Sequence, residues 1–467
     1  MGPFVWLWGG ESVQASQTGE REGGHPPLKR AVGPALLLFF IVGDMIGGGI
    51  YALVGDVGAI TGGAIWSAFL VAMVLAIFTA FAYAELVTKY PRAGGAASYV
   101  NQAFRVPFLS FMVAFAVVLS GITSASALAL AFGGDYLSEF VAIPAVLSAL
   151  GIFVILQLIN FRGISESTRV NAIFTSIEVL GLLLIVVIGL AAVGAGEGDP
   201  ARAFQFKEGG NFLGLSLAGA ALAFYALIGF EDSVNLAEEA QDPVRVFPRV
   251  LFVGLLLAGT IYLLVTIVAS MAVPTGPLTD PEAETTALLQ VAQTGPLAVP
   301  AWLFALIGLF ALSNGVLLNM VMASRLIYGM ADQGVMPSVL ARVHRSRRTP
   351  WVAILFISVI AIGLISTGSV DSLASATVVL LLIVFITVNV AVLVLKRETV
   401  DHEHFRTPAV IPVLGILVCA GLLTQIEGKA EIFPLVGGLL VLGAILYVVN
   451  YLVKRALDRE TPLPPGG

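Results

Sequence analysis

The sequence predicts an all-α polytopic membrane protein of twelve spanning helices, five of them repeated by five in inverted orientation and two following. Three observations predict it. The chain is too apolar and too poorly charged to be soluble, its lysines and arginines sort to one side of the spans, and two spans are interrupted midway. Hydrophobic residues make up 58% of the 467 and charged residues 12%, against roughly 45–50% and about 25% in soluble domains. So few charges cannot cover a soluble surface of this size. A cytosolic enzyme, a nucleic-acid binder and a secreted disulfide scaffold are excluded together. The single cysteine, Cys419, lies in an apolar run, and His25, His344, His402 and His404 all fall in polar segments.

A helix needs about 20 apolar residues to cross a bilayer. Runs of that kind fall at roughly 34–58, 64–86, 107–132, 141–160, 170–194, 212–237, 249–273, 299–327, 350–367, 371–395, 408–425 and 432–453. With the N-terminus inside, all of the 24 basic residues except Arg202, Lys207 and Lys429 fall in cytoplasmic segments. That is the positive-inside pattern, and it predicts both termini in the cytoplasm of a cell whose cytoplasmic membrane holds the protein. Residues 1–33 lack the apolar stretch and cleavage site of a secretory signal and read as a disordered cytoplasmic tail. Residues 34–456 form the membrane domain, with repeats at about 34–194 and 212–396 and two added helices at about 408–453. Residues 457–467 form a second tail.

The first span is broken by Gly43-Asp44-Met45-Ile46-Gly47-Gly48-Gly49-Ile50. Each glycine costs a helix about 1 kcal/mol relative to alanine. Small residues that pack helices occupy one face, whereas three in a row cover every face, so unwinding is the better reading. Unwound backbone at that depth must line a cavity or be buried in protein. The sixth span carries Glu231-Asp232-Ser233 after an apolar half-helix, so the helix is expected to stop near Ile228 and restart around Asp232. These carboxylates read either as caps or as functional groups. Breaks opening each of two halves point to an inverted-repeat transporter.

At these residues the chain resembles the amino acid–polyamine–organocation superfamily of permeases. Gly43 to Ile50 looks like that family's first break, with Gly48 where serine is common. Ala82-Tyr83-Ala84-Glu85-Leu86 with Tyr90-Pro91-Arg92-Ala93-Gly94-Gly95 looks like the segment ending its second helix. Ile228-Gly229-Phe230-Glu231, Ala237-Glu238-Glu239 and Asp242 to Pro248 resemble its helix-six signature, and Ser324-Arg325 through Pro337 the end of its eighth helix. The resemblance implies a LeuT-type fold and alternating-access transport of amino acids or related amines.

The physics of the breaks agrees. Free N–H groups at Gly47, Gly48, Gly49 and Ile50 begin a half-helix and favour a carboxylate. Carbonyls at Met45, Tyr225 and Ile228 end half-helices and favour an ammonium group. A zwitterion fits both. By resemblance, Tyr225 stands where the family has an aromatic lid, its alternative role being to pack a tight crossing; Phe230 is a second aromatic candidate. Ser120, Thr123 and Ser124 share a face of the third helix, and Asn314 and Asn319 interrupt the eighth, Asn319 falling where the resemblance puts a pocket residue.

Four acids lie deep in the membrane, Asp44, Glu178, Glu231 and Asp232, and intramembrane carboxylates are functional hypotheses by default. Glu178 lies about 13 Å from Arg169 at the cytoplasmic edge. Several members of the superfamily carry a lysine there that stands in for the sodium of related carriers; this chain has glutamate. The expectation is a protonatable group that couples substrate movement to H⁺, the alternatives being Na⁺ binding or pairing with Arg169 or Arg325. Asp44 either steadies the unwound backbone or meets a cationic substrate. Glu238, Glu239, Arg342, Arg345, Arg347 and Arg348 read as cytoplasmic-face charges.

Intramembrane metal hydrolysis needs histidines within the spans, and none lies there; no cofactor or resident metal is expected. A channel would need a polar pore lining, against only two breaks. The expected partners are a small-molecule substrate, H⁺ (alternatively Na⁺) and the lipid bilayer, not nucleic acid. The leading expectation is proton-coupled uptake of amino acids. An amino acid/amine exchanger, a polyamine permease and a transporter-like nutrient sensor are the alternatives. Alanine-sized, branched, aromatic and cationic substrates all stay open.

Overall fold

The computed structural model describes residues 32–91, 95–237, 240–280 and 285–460. The expected tails at 1–33 and 457–467 lie almost wholly outside these, as do Arg92, Ala93, Gly94, Glu238, Glu239 and the side chain of Arg169. The described chain forms α1 (Pro34–Met45), α2 (Gly49–Thr61), α3 (Ile65–Lys89), α4 (Gly95–Phe104), α5 (Pro107–Ala131), α6 (Ala145–Arg162), α7 (Ile164–Gly194) and α8 (Phe212–Ala223). There follow α9 (Pro243–Ala272), α10 (Thr275–Leu278), α11 (Ala287–Ala292), α12 (Ala301–Asp332), α13 (Trp351–Thr367), α14 (Val370–Leu395), α15 (Val410–Gln425) and α16 (Lys429–Glu460).

Among the described residues, nine helical stretches are long and apolar enough to cross a membrane, and α1 with α2 makes a tenth, bent by 42° at its break. The helices α13 and α15, at 17 and 16 residues, are apolar but shorter. Large apolar side chains such as Leu147, Ile155, Leu158, Leu180, Leu190, Val359 and Leu417 point outward, as an integral multi-pass protein requires where the solvent is lipid. Proline at the first turn opens α5 and α9, where the missing N–H would be unpaired anyway. Asn211 and Ser369 cap α8 and α14, Ser369 through a capping box with Ser372.

Both interruptions are present, one of them differently from the expectation. The first falls between Met45 and Gly49 as expected. In the sixth span the α-helix ends earlier, at Ala223, and a 3₁₀ turn carries the chain from Phe224 to Leu227. Ile228 is extended, Gly229 adopts φ 117° and a second 3₁₀ turn spans Asp232–Leu236. The tighter turn continues the helix past Ala223, which is why the apolar run alone placed its end too late.

At the end bearing the basic loops, segment 396–407 straps across the end of α3. Glu85, 3% exposed, pairs with Lys396 Nζ at 2.9 Å and accepts the Thr407 N–H at 2.9 Å; Lys396 also donates to the Thr407 carbonyl. Lys89 donates to the Leu395 and Glu398 carbonyls at 2.6 and 2.7 Å, satisfying the open end of α14. The Tyr90 hydroxyl donates to Glu398 at 2.8 Å and holds that carboxyl below the usual range. Thr88 accepts from the Phe405 N–H at 3.0 Å. The motif Ala82–Leu86 with Tyr90 is therefore the half of this strap that the α3 sequence contributes.

Removing one partner of a buried ion pair leaves an uncompensated charge and costs about 3–5 kcal/mol. Glu85→Leu should therefore lower the melting temperature in detergent clearly. The double change Glu85→Leu with Lys396→Met should recover most of the loss, and an unchanged melting temperature for the single variant would refute the assignment.

Candidate functional site

The two breaks meet at the centre of the bundle because glycines let backbone touch backbone. A methyl group on Gly49 would stand 3.0 Å from Ala226 Cα and 3.2 Å from the Tyr225 ring. Gly229, whose positive φ favours glycine, lies against Asp44, whose backbone carbon and carboxyl carbon would be 3.0 and 3.1 Å from such a methyl. Gly48 is pressed by α12, with Leu312 Cδ2 at 2.7 Å and Leu312 Cα at 3.0 Å from the position of a Cβ. Gly48 therefore leaves no spare room for the serine that is common in the family pattern unless Leu312 moves.

The polar groups that the breaks release divide into used and unused ones. The Met45 carbonyl accepts from Tyr262 Oη at 2.5 Å, which uses one of its two lone pairs. In α2 the Ala52 N–H is the first with a helical acceptor, the Gly48 carbonyl at 3.0 Å. The N–H groups of Gly49, Ile50 and Tyr51 have none from the helix, as in any first turn. Glu231 reaches back two residues, and its Oε2 accepts the Gly229 N–H at 2.8 Å; it makes no capping bond to the 3₁₀ turn that follows. One oxygen of Asp44, Oδ2, is buried without a hydrogen-bond partner among the described residues.

These groups surround a central cavity of ≈ 50 Å³. It is room for a few waters and too small for an amino acid. Of the residues singled out from sequence, Asp44, Met45, Gly47, Gly48, Gly49, Ser120, Ser124, Tyr225, Ile228, Glu231, Asp232 and Asn319 line it. Ile50, Phe230, Thr123 and Glu178 do not. Ile50 is fully buried in the core. Phe230 packs among Tyr83 and Phe385, ring centroids 6.1 and 5.8 Å away. Thr123 turns to α14 and shares a 2.7 Å hydrogen bond with Thr377. Gly229, Gly315 and Thr377 line the cavity without having been singled out. The positive φ of Gly229 had a signal in the Ile-Gly-Phe-Glu run; Thr377 follows Ser372 and Ser375 on an otherwise apolar span and carried no motif.

Tyr225 Oη and Ser124 Oγ are 3.0 Å apart, which ties the sixth span to α5. One turn beyond lies a second cavity of ≈ 690 Å³, reached past Leu222 and Ser375 and edged by Asp56, Glu208, Asp371 and Glu427. Tyr225, Ser124 and Thr377 line the central cavity, and Leu222 and Ser375, three and two positions earlier than Tyr225 and Thr377, line the second.

Glu178 sits behind the first break. Asn314 Nδ2 donates to Glu178 Oε2 and lies the same 3.1 Å from Thr175 Oγ1. Glu178 Oε1 is buried without a partner among the described residues, and the Glu178 carbonyl accepts from Tyr51 Oη at 2.8 Å. The site thus joins α7, α12 and the start of α2.

A family model described as amino acid permease matches residues 35–449. The branched-chain amino acid permease BcaP of Bacillus subtilis (strain 168) is 28% identical over 452 residues, covering 91% of this chain and 93% of its own. The low-affinity putrescine importer PlaP of Escherichia coli (strain K12) is 27% identical over 395 residues, covering 82% and 85%. A solved structure of a manganese transporter mutant from Eremococcus coleocola superposes with a TM-score of 0.57 at 15% identity, covering 90% of this chain and 96% of that one. At that identity the likeness concerns the fold alone, and the fold is LeuT-type.

Overpacking a tight contact costs about 1–3 kcal/mol. Gly48→Ser should therefore lower the melting temperature in detergent. Combined with Leu312→Ala, it should cost less than the two single changes added together; strict additivity would refute the contact.

Proposed function

The chain belongs to the amino acid permease family, and on that premise we propose that it is a secondary active transporter that takes up amino acids by alternating access, coupled to protons. The observation that carries this reading is the convergence on one cavity of the N-terminal turn of α2 with the carboxylates of the two breaks. The first suits a substrate carboxylate and the second its ammonium group. The Met45 carbonyl already holds one donor in Tyr262, so the ammonium contacts are shared between its second lone pair, Asp44, Glu231, Asp232 and the backbone of Tyr225 and Ile228. Tyr225 closes the site through Ser124, and breaking that bond lets substrate pass between the cavities. Asn319 and Ser124 contribute polar contacts from the facing helices.

Proton coupling rests on Glu178. Its carboxyl is fully buried, holds one donor in Asn314 and has a second oxygen unpaired. A proton taken up there changes how α7 and α12 grip the start of α2, because Tyr51 bonds the Glu178 carbonyl. Na⁺ bound between Glu178 and Asn314 is the competing reading of the same oxygens.

One observation favours a second substrate class. Three carboxylates line the central cavity with no lysine or arginine among its lining residues, which suits an amine or diamine as well as a zwitterion. The likeness to a putrescine importer supports the same reading.

A thermal-shift screen of the purified protein against the twenty amino acids and common diamines separates the two classes. A ligand at a hundred times its Kd stabilises the folded state by about 2.7 kcal/mol. Stabilisation by neutral amino acids alone supports the first reading and by diamines alone the second. In proteoliposomes an inward proton gradient should drive accumulation of that ligand, and Glu178→Gln should abolish accumulation while sparing exchange. Full gradient-driven accumulation by Glu178→Gln would overturn proton coupling through this residue.

A further inference from the structure

Apart from the substrate path, we infer that the start of α9 binds the phosphodiester headgroup of an anionic phospholipid. A surface cleft of ≈ 420 Å³ opens there, lined by residues that include Arg245, Arg249, Phe252, Glu403, His404 and Phe405. The arginines stand one helical turn apart and are both exposed. Arg245 has a single long contact, to Asp242 at 3.8 Å, and among the described residues Arg249 has no ion-pair partner. Two guanidinium forks on one face offer parallel N–H donors in the geometry that phosphate oxygens accept.

The cleft continues into lipid. Val253, Leu256, Leu257 and Leu264 on α9 are exposed, and Arg245, Arg249, Phe252 and Leu256 follow one another at the spacing of a single helix face. A headgroup on the arginines therefore leaves its acyl chains along an apolar surface already turned outward. The rings of Phe81, Phe252 and Phe405 form an aromatic wall beside the cleft, with Phe81–Phe252 centroids 4.6 Å apart and Phe252–Phe405 6.0 Å. Aromatic rings of this kind are enriched at the level of the headgroups. The basic end of the bundle is the one that the positive-inside rule assigns to the cytoplasm, where anionic lipids gather and basic pockets between helices hold their headgroups.

The charges also select among phosphates. Glu403 is an exposed carboxylate at the edge of the cleft, and Asp242 lies 3.8 Å from Arg245, so the two arginines are partly offset. Partial burial holds the His404 imidazole below its usual value and disfavours its charged form. A singly charged phosphodiester meets less repulsion from these carboxylates than a doubly charged free phosphate does.

The test is native mass spectrometry of the full chain in detergent, delipidated and then titrated with phosphatidylglycerol, phosphatidylcholine, glycerophosphoglycerol or inorganic phosphate. Phosphatidylglycerol should bind in preference to phosphatidylcholine, and Arg245→Gln with Arg249→Gln should weaken it roughly thirty-fold, the combined effect of two arginines at a membrane surface. Arg345→Gln with Arg347→Gln, which removes as much charge from the loop before α13, should bind as the unaltered protein does. Equal loss in both double variants, or no preference between the two lipids in the unaltered protein, would overturn the site. Displacement of bound lipid by inorganic phosphate or glycerophosphoglycerol at equal concentration would assign the cleft to free phosphates and overturn the lipid as its ligand.

Discussion

Two helices that stop halfway across a bilayer release backbone N–H and carbonyl groups where no water can take them, and the rest of the structure answers that one constraint. Tyr262 takes the carbonyl at the end of α1, Glu231 takes the N–H of Gly229, and Tyr51 and Tyr136 link the start of α2 to its neighbours. What these bonds leave over is concentrated around one small cavity. Around it, among the described residues, stand the N-terminal turn of α2, the unpaired Oδ2 of Asp44 and the carboxylates of the second break, of which Glu231 already accepts one bond. A binding site for a small charged molecule is thus what remains after the broken helices have satisfied as much of themselves as the packing allows.

Glycine makes that economy workable. Gly49 against Ala226, Gly229 against Asp44 and Gly48 against Leu312 bring three backbones within van der Waals distance. No side chain larger than hydrogen fits at those contacts without movement. The closeness is also why the central cavity is so small, and the bonds of Tyr225 with Ser124 and of Thr123 with Thr377 tie together the helices around it. Bonds of this kind each contribute about 1 kcal/mol, little enough for ligand binding to offset.

The positions of Asp44, Gly47 to Gly49 and Glu231 beside the cavity were legible in the sequence because each breaks a local rule, a polar group or a run of glycines inside an apolar span. Asn319 and Ser124 were legible for the same reason, whereas Tyr225 was legible only by family resemblance. Phe230 was not, since an aromatic residue beside a break reads the same whether it faces a cavity or, as here, Tyr83 and Phe385. The bond to the Met45 carbonyl was equally hidden, because its partner Tyr262 lies 217 positions along the chain in a span with no other mark of function. Glu85 entered only as part of the Ala82–Leu86 motif and Lys396 only among the basic residues of the cytoplasmic side, and packing alone reveals them as a pair.

Composition alone determined that this chain lives in a membrane, because 12% charged residues cannot cover a soluble surface. The order of its motifs determined the family, and the interrupted spans determined which segments meet at the centre. Tertiary structure decided what those segments do there: which released groups are consumed by distant tyrosines, which carboxylate stands behind the break and which face the cavity, and where two arginines and three phenyl rings come together at the bundle's edge. The reason is physical. A break in a helix is a local property of a few residues, but the partner that satisfies it is chosen by packing between segments far apart in the chain.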